Sequence, residues 1–307
     1  MGKADKKTVI HRIFSAISRI DRAICFAVQY IQQEVIVLKM KLAAVDIDGT
    51  LVTDKKELLS ETKADIQAFV RNGGVFVLAT GRPTPGILRY AAELDLASLG
   101  GYVISYNGAR TFQAKTNTLL FQKNIPVQCY SRIFDAADKL DLALTGYKND
   151  IAVTQKANDR YFQMETTINR LEIQRVPELR AEMTYETPKF LITGEPDFLG
   201  DAEGKLRGML SDLPLSVFRS EPFFLEITAK GCDKGAAILE LAKYLQIQQA
   251  ETMACGDGFN DVTMLRAVGL GVAMANAQMP AKSAADYITA SNAENGVGKA
   301  LRKFAVE

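Results

Sequence analysis

The chain has 307 residues, 48% of them apolar and 24% charged, enough to bury one substantial core and a second smaller one. Its 37 Lys and Arg against 36 Asp and Glu leave a net charge of +1, which lacks the basic excess of a dedicated nucleic-acid binder. A single histidine, His11, disfavours Ser-His-Asp triads, Cys-His pairs and multi-His metal sites, so proton transfers in an enzyme of this composition fall to carboxylates or lysine. Cys25, Cys129, Cys232 and Cys255 show no CxxC spacing and read as reduced thiols of a cytoplasmic protein.

Residues 1–39 carry a net charge of +4 and the remainder −3. The apolar stretch from Ile24 to Leu38 includes Gln29, Gln32, Gln33 and Glu34, too short and too polar to cross a bilayer, and no A-x-A cleavage pattern follows it. Ile10, Ile13, Phe14, Ile17, Ile20 and Ile24 recur at helical spacing among basic residues, which permits a weak membrane-surface contact within 10–38. The commoner reading is an extension outside the fold or an upstream start, because Met40-Lys41 opens the first core strand.

From Lys41 the pattern is strand, loop and helix: KLAAVD, a helix over about 60–72 stopped by Gly73-Gly74, then VFVLAT. It returns near the end as a helix over about 234–246, TMACGD, a helix over 260–267, LGVAM, the short DYITA and a final helix. Continuous apolar runs separated by helices predict a buried parallel sheet, the two halves of one doubly wound α/β domain. Between them YVISY leads to Asn107-Gly108, a strong hairpin signal, and on to RTFQA and TLLFQ. A helix near 127–139, LALTGY, IAVT, KFLITG, a helix near 196–210, LSVFRS and FFLEIT follow. Hairpins mixed with helices predict an inserted α+β domain over 112–227, inside a core of 40–111 and 228–307.

Chemistry gathers where the predicted strands end. After the first come Asp46 and Asp48, which on an extended backbone point to one side, so the pair implies a bound divalent cation or one raised pKa. The alternative is that Asp48-Gly49 only makes a turn and Asp46 serves as a cap. After the second, Thr80-Gly81-Arg82 offers a hydroxyl and free N–H groups to an anion, or is an ordinary helix entry. Asp257, Asn260 and Asp261 follow TMACG as hard oxygen ligands or as an Asx-rich turn capping the next helix. Lys234 opens a helix whose dipole does not favour it, either as a functional ammonium or as a solvated lysine. Together the four loops predict a metal-assisted phosphoryl site.

Asp46-Ile47-Asp48-Gly49-Thr50, Thr80-Gly81-Arg82, Asp233-Lys234-Gly235 and Gly256-Asp257-Gly258-Phe259-Asn260-Asp261 resemble the four motifs of the haloacid dehalogenase superfamily. Their order, with the large insert between the second and third, most resembles the Cof-type sugar phosphatases with an α+β (type IIB) cap. SYNGA (105–109), SEPFFLEI (220–227) and GVAMANA (271–277) add to the likeness, which runs from Lys41 to the C-terminus.

The resemblance implies a Rossmann-like core with an inserted cap, and an Mg²⁺-dependent phosphatase of small phosphorylated metabolites, most of all sugar phosphates. It makes Asp46 the nucleophile and Asp48 the acid and then the base. Asp46, the Asp48 backbone carbonyl and Asp257 become ligands of Mg²⁺. Thr80, Gly81, Lys234 and Asn260 become phosphate-binding groups, and Asp261 orients Lys234 or a metal-bound water. A small phosphorylated substrate, no nucleic acid and a monomer or homodimer are expected. Asn107-Gly108 and Thr228 to Gly231 are expected as hinges of the cap. A phosphomannomutase-like reaction and a receiver-like phospho-regulator are the alternatives, the latter disfavoured by Asp48 and by the size of the insert.

Overall fold

The computed structural model describes residues 40–306, so the expectations for the first 39 residues lie outside the described residues. Strands β1 (Leu42–Val45), β2 (Val75–Ala79) and β3 (Tyr102–Ser105) are the apolar runs of the first half, parallel and almost wholly buried. The helix Ser60–Arg71 follows β1 and buries Thr62, Ile66 and Phe69, the single stripe that a helical period of 3.6 provides. It ends at Asn72, and Gly73 takes a φ of +90° that an L side chain adopts only with strain.

Asn107-Gly108 turns β3 back into β4 (Arg110–Gln113), with Tyr106, Asn107 and Gly108 all at positive φ in the turn, and β5 (Thr118–Gln122) pairs in turn with β4. One boundary needs correction. β4 pairs back onto β3, from Tyr102↔Gln113 to Ser105↔Arg110, so both hairpin strands extend the sheet of β3 and the insert begins only after Gln122. A hairpin strand stays in the sheet of the strand it folds back on, which alternation within RTFQA and TLLFQ does not reveal.

The insert builds a second sheet from β6 (Leu144–Lys148), β7 (Ile151–Thr154), β8 (Ile173–Arg175), β9 (Lys189–Thr193), β10 (Leu215–Glu221) and β11 (Phe224–Ala229), in the order β10-β11-β9-β6-β7-β8. β11 runs to Ala229, two residues past the expected boundary. The two chain crossings thus follow Gln122 and Ala229. Thr228 to Gly231 lies at the second, whereas Asn107-Gly108 sits inside a hairpin of the larger sheet and not at a crossing.

Alternation divides the faces of the smaller sheet. Phe190 and Ile192 of β9 and Leu225 and Ile227 of β11 pack in the cluster that buries Leu199, Ala202 and Leu206 of the helix Pro196–Met209. Lys189, Leu191, Phe224 and Glu226 occupy the intervening positions and so the opposite face.

β12 (Thr252–Gly256), β13 (Leu270–Ala273) and β14 (Tyr287–Ile288) return to the larger sheet, giving the order β14-β13-β12-β1-β2-β3-β4-β5. All its contacts from β14 to β3 are parallel, with helices between the strands, as a doubly wound α/β fold requires. Among the described residues no helix is long and apolar enough to cross a membrane.

Candidate active site

The register of the three central strands builds the site. Val45 lies between Cys255 of β12 and Leu78 of β2, so Asp46 falls beside Gly256 and Ala79, and Asp257 and Thr80 follow one residue later at the same sheet edge. The Asp46 N–H donates to the Cys255 carbonyl (3.0 Å) and the Thr80 N–H to that of Ile104 (2.9 Å), which fixes both loops to the sheet. Gly49 then turns the chain at a φ of +76°, where a Cβ would collide with the Asp257 carboxylate. The Thr50 hydroxyl donates to Asp257 Oδ1 at 2.7 Å.

Lys234 is fully buried, so the solvated-lysine reading is excluded. Its ammonium donates to Asp46 Oδ1 and to Asp261 Oδ1, both at 2.6 Å. Burial alone lowers the pKa of an ammonium, but the Asp261 and Asp46 charges outweigh it and raise that of Lys234. Asp261 is also a turn-forming residue, because its Oδ2 accepts the N–H groups of Asp257 and Gly258, both at 2.9 Å. The ligand and cap readings of this loop therefore meet in one side chain.

Asp46, Asp257 and Asp261 each bring a carboxylate oxygen within 4.8 Å of the others. Three carboxylates share a single ammonium, so negative charge is in excess. Burial raises the Asp46 pKa well above its ordinary value; Lys234 opposes this, and the neighbouring Asp261, Asp257 and Asp48 reinforce it. Asp257 is pushed up to about 6 by burial and by Asp261, against the Thr50 hydrogen bond and Lys234. A cluster of hard oxygens with uncompensated charge fits a divalent cation such as Mg²⁺.

The Asp48 side chain is not in this cluster, contrary to the picture of two carboxylates standing on one side. The strand ends at Val45, so the alternation that would align positions 46 and 48 has already stopped. Arg82 Nε donates to Asp48 Oδ2 (2.6 Å), Arg82 Nη2 to Oδ1 (2.8 Å) and Lys56 Nζ to Oδ1 (2.6 Å). Burial would raise the Asp48 pKa, but Arg82 and then Lys56 outweigh it and bring it down to about 2. Only the backbone of Asp48 remains as a candidate metal ligand.

Asp46, Asp48, Thr80, Gly81, Asp257 and Asn260 all line one cavity of about 320 Å³. Lys234 and Asp261 lie behind Asp46 and do not line it. Its remaining wall comes largely from the insert, including Glu165, Asn169, Lys189, Ser220 and Glu226. None of these is singled out in the sequence. Ser220 and Glu226 fall within SEPFFLEI, but Glu165 and Asn169 sit on the helix Arg160–Asn169, which goes unnoticed because they occupy buried positions that an apolar stripe would fill. Asp159 caps that helix by accepting the N–H groups of Tyr161 and Phe162. Asn107 joins the two sides of the cavity: its amide donates to Glu226 Oε2 (3.2 Å) and its Oδ1 accepts from Asn260 Nδ2 (3.2 Å).

Comparison with known proteins gives the same picture. Residues 43–301 match the family model of haloacid dehalogenase-like hydrolases. A putative phosphatase of Bacillus subtilis, YxeH, is 34% identical over 270 residues, covering 86% of this chain and 98% of that protein. The 5-amino-6-(5-phospho-D-ribitylamino)uracil phosphatase YcsE of Bacillus subtilis is 29% identical over 265 residues, covering 86% and 96%. Among solved structures, a haloacid dehalogenase-like hydrolase from Bacteroides thetaiotaomicron shares 35% identity at a TM-score of 0.78, covering 86% of this chain and 99% of that one. The HAD subclass IIB sugar phosphatase BT4131 shares 26% identity at a TM-score of 0.74, covering 87% and 100%.

Proposed function

Since the chain belongs to the haloacid dehalogenase-like hydrolases and is a phosphoric monoester hydrolase of small phosphorylated compounds, we propose that it dephosphorylates sugar phosphates through an aspartyl-phosphate on Asp46. The observation that carries this reading is the meeting of Asp46, Thr80, Asp257 and the buried Lys234 at one sheet edge, beside a cavity large enough for a small metabolite. The likeness to a sugar phosphatase and the polar wall contributed by the insert support the substrate class.

In this reading Asp46 attacks phosphorus and displaces the alcohol, and Asp48 gives the departing oxygen its proton. Asp48 then removes a proton from the water that cleaves the acyl phosphate, so one carboxyl group serves both half-reactions. Lys234 turns the Asp46 carboxylate by its 2.6 Å hydrogen bond and offsets the charge that gathers on the phosphoryl oxygens. The Thr80 hydroxyl and the Asn260 amide, both at the cavity wall, hold those oxygens. Asp46, Asp257 and the Asp48 backbone carbonyl would hold Mg²⁺, which when bound neutralises phosphoryl charge. The insert excludes water and selects the alcohol.

The test is phosphate release from sugar phosphates, nucleotides and nitrophenyl phosphate, with Mg²⁺ or EDTA, by wild-type protein and Asp46→Asn. Release that needs Mg²⁺ and vanishes in the variant is expected. Turnover that survives Asp46→Asn overturns the nucleophile.

A further inference from the structure

We propose that the insert's side of the cavity selects a leaving group rich in hydrogen-bond donors and without a second anionic group, and that Glu165 is the residue that reads it. This rests on the phosphatase reading of the same cavity and specifies the alcohol that is released.

Glu165 is only 8% exposed, yet it lines the cavity. Asn169 Nδ2 donates to the Glu165 backbone carbonyl at 3.0 Å, and the same side chain is the amide donor that stabilises the charged carboxylate. Burial raises the pKa of Glu165, and Glu226 reinforces this against the Lys189 and Arg82 charges. A buried carboxylate without a full complement of donors costs stability, and a ligand that brings donors removes that cost.

The cations nearby are already engaged. Lys189 Nζ lies 3.1 Å from Glu226 Oε1 in an ion pair almost wholly out of solvent. The same oxygen accepts from the Ser220 hydroxyl at 2.6 Å. Arg82 and Lys56 are both held by Asp48. Among the described residues six acidic and three basic side chains line the cavity, so its field opposes any anion not held by the phosphoryl machinery.

A second phosphate or a carboxylate on the substrate would face Glu165, Glu221 and Glu226 with Lys189 as the one cation on that wall. Hydroxyl groups or an ammonium would instead give Glu165 the donors it lacks. A mutase, which must accommodate a bisphosphate, would have to place its second phosphoryl group against this wall.

The experiment compares kcat/KM for glucose phosphate, glucosamine phosphate and phosphogluconate, each esterified at the same carbon, with nitrophenyl phosphate as a reference. Wild-type protein is expected to prefer both the neutral and the amino sugar over the carboxylate by about tenfold or more. Glu165→Gln should narrow that ratio by about tenfold, while Glu165→Asp, which keeps the charge, retains the exclusion. Ratios within one variant cancel any general loss of activity.

Phosphogluconate turned over as well as glucose phosphate by wild-type protein, or a ratio that Glu165→Gln leaves unchanged, overturns the inference. Hydrolysis of nitrophenyl phosphate that depends on Asp46, with no ordering among the sugars, sinks this inference alone. Absence of that hydrolysis, or its survival in Asp46→Asn, sinks the phosphatase reading beneath it.

Discussion

Arg82 holds Asp48 with two parallel hydrogen bonds, Nε to Oδ2 at 2.6 Å and Nη2 to Oδ1 at 2.8 Å, while its Nη1 reaches Asn169 Oδ1 at 3.2 Å. One guanidinium thereby ties the loop after β1 to a helix of the insert. The forked geometry suits arginine and cannot be reproduced by lysine.

An Asp48 held at about 2 is ionised at neutral pH and has no proton to give, so the proposed role as acid requires Arg82 and Lys56 to release it as substrate enters. Arg82→Lys keeps the charge and loses the fork, and kcat for sugar phosphates should fall by about tenfold through misorientation of Asp48. Asp48→Asn should cost about a hundredfold with the same substrates. Nitrophenyl phosphate, whose leaving group needs no proton, should suffer less in both variants. Steady-state kinetics on the two substrate types decides the matter, and equal losses would remove Asp48 from the role of acid.

The Asp257 carboxyl predicts how the metal-free protein responds to pH. Its folded value of about 6 lies above that of an unfolded carboxylate, so between about pH 4 and pH 6 the folded state holds the additional proton. Its contribution to stability is therefore full at the acid end and is lost as pH rises through about 6. Asp257→Asn cannot ionise, and its Oδ1 can still accept from Thr50. In EDTA the variant should melt a few degrees above wild type at about pH 7.5 and show no advantage near pH 4. Added Mg²⁺ should raise the melting temperature of wild type and leave the variant unmoved. Calorimetry showing a less stable variant at neutral pH would mean that Asp257 carries no uncompensated charge.

The sequence made the larger sheet legible because β1, β2 and β12 are unbroken apolar runs whose carboxyl ends carry the polar residues. Asp46, Thr80, Asp257 and Lys234 could be brought together on that basis, since parallel register alone aligns the first three. The fate of Asp48 was not legible. It depends on Arg82, 34 residues away, and on a strand that stops at Val45, short of the stretch over which alternation would align positions 46 and 48. Glu165 and Lys189 were hidden for a related reason: they are charged residues at buried positions, so the hydrophobic pattern that reveals a core passes over them. The β4–β5 hairpin has the alternation of an insert strand, and only its pairing with β3 assigns it to the larger sheet.

Lys234 provides the sharpest distinction between packing and charge. Its side chain has no exposure and lies 2.6 Å from both Asp46 and Asp261, so Lys234→Met fills much of the same volume while leaving both carboxylates without their cation. Removing one partner from a buried ion pair costs about 3–5 kcal/mol. Turnover should also fall by about a hundredfold or more, as for the loss of one electrostatic donor to the transition state. If charge is the cause of the instability, neutralising one of the abandoned carboxylates should recover part of it. The double variant Lys234→Met with Asp46→Asn is therefore expected to be more stable to urea than Lys234→Met alone, although it remains inactive. Additive destabilisation in the double variant would make Lys234 a packing residue.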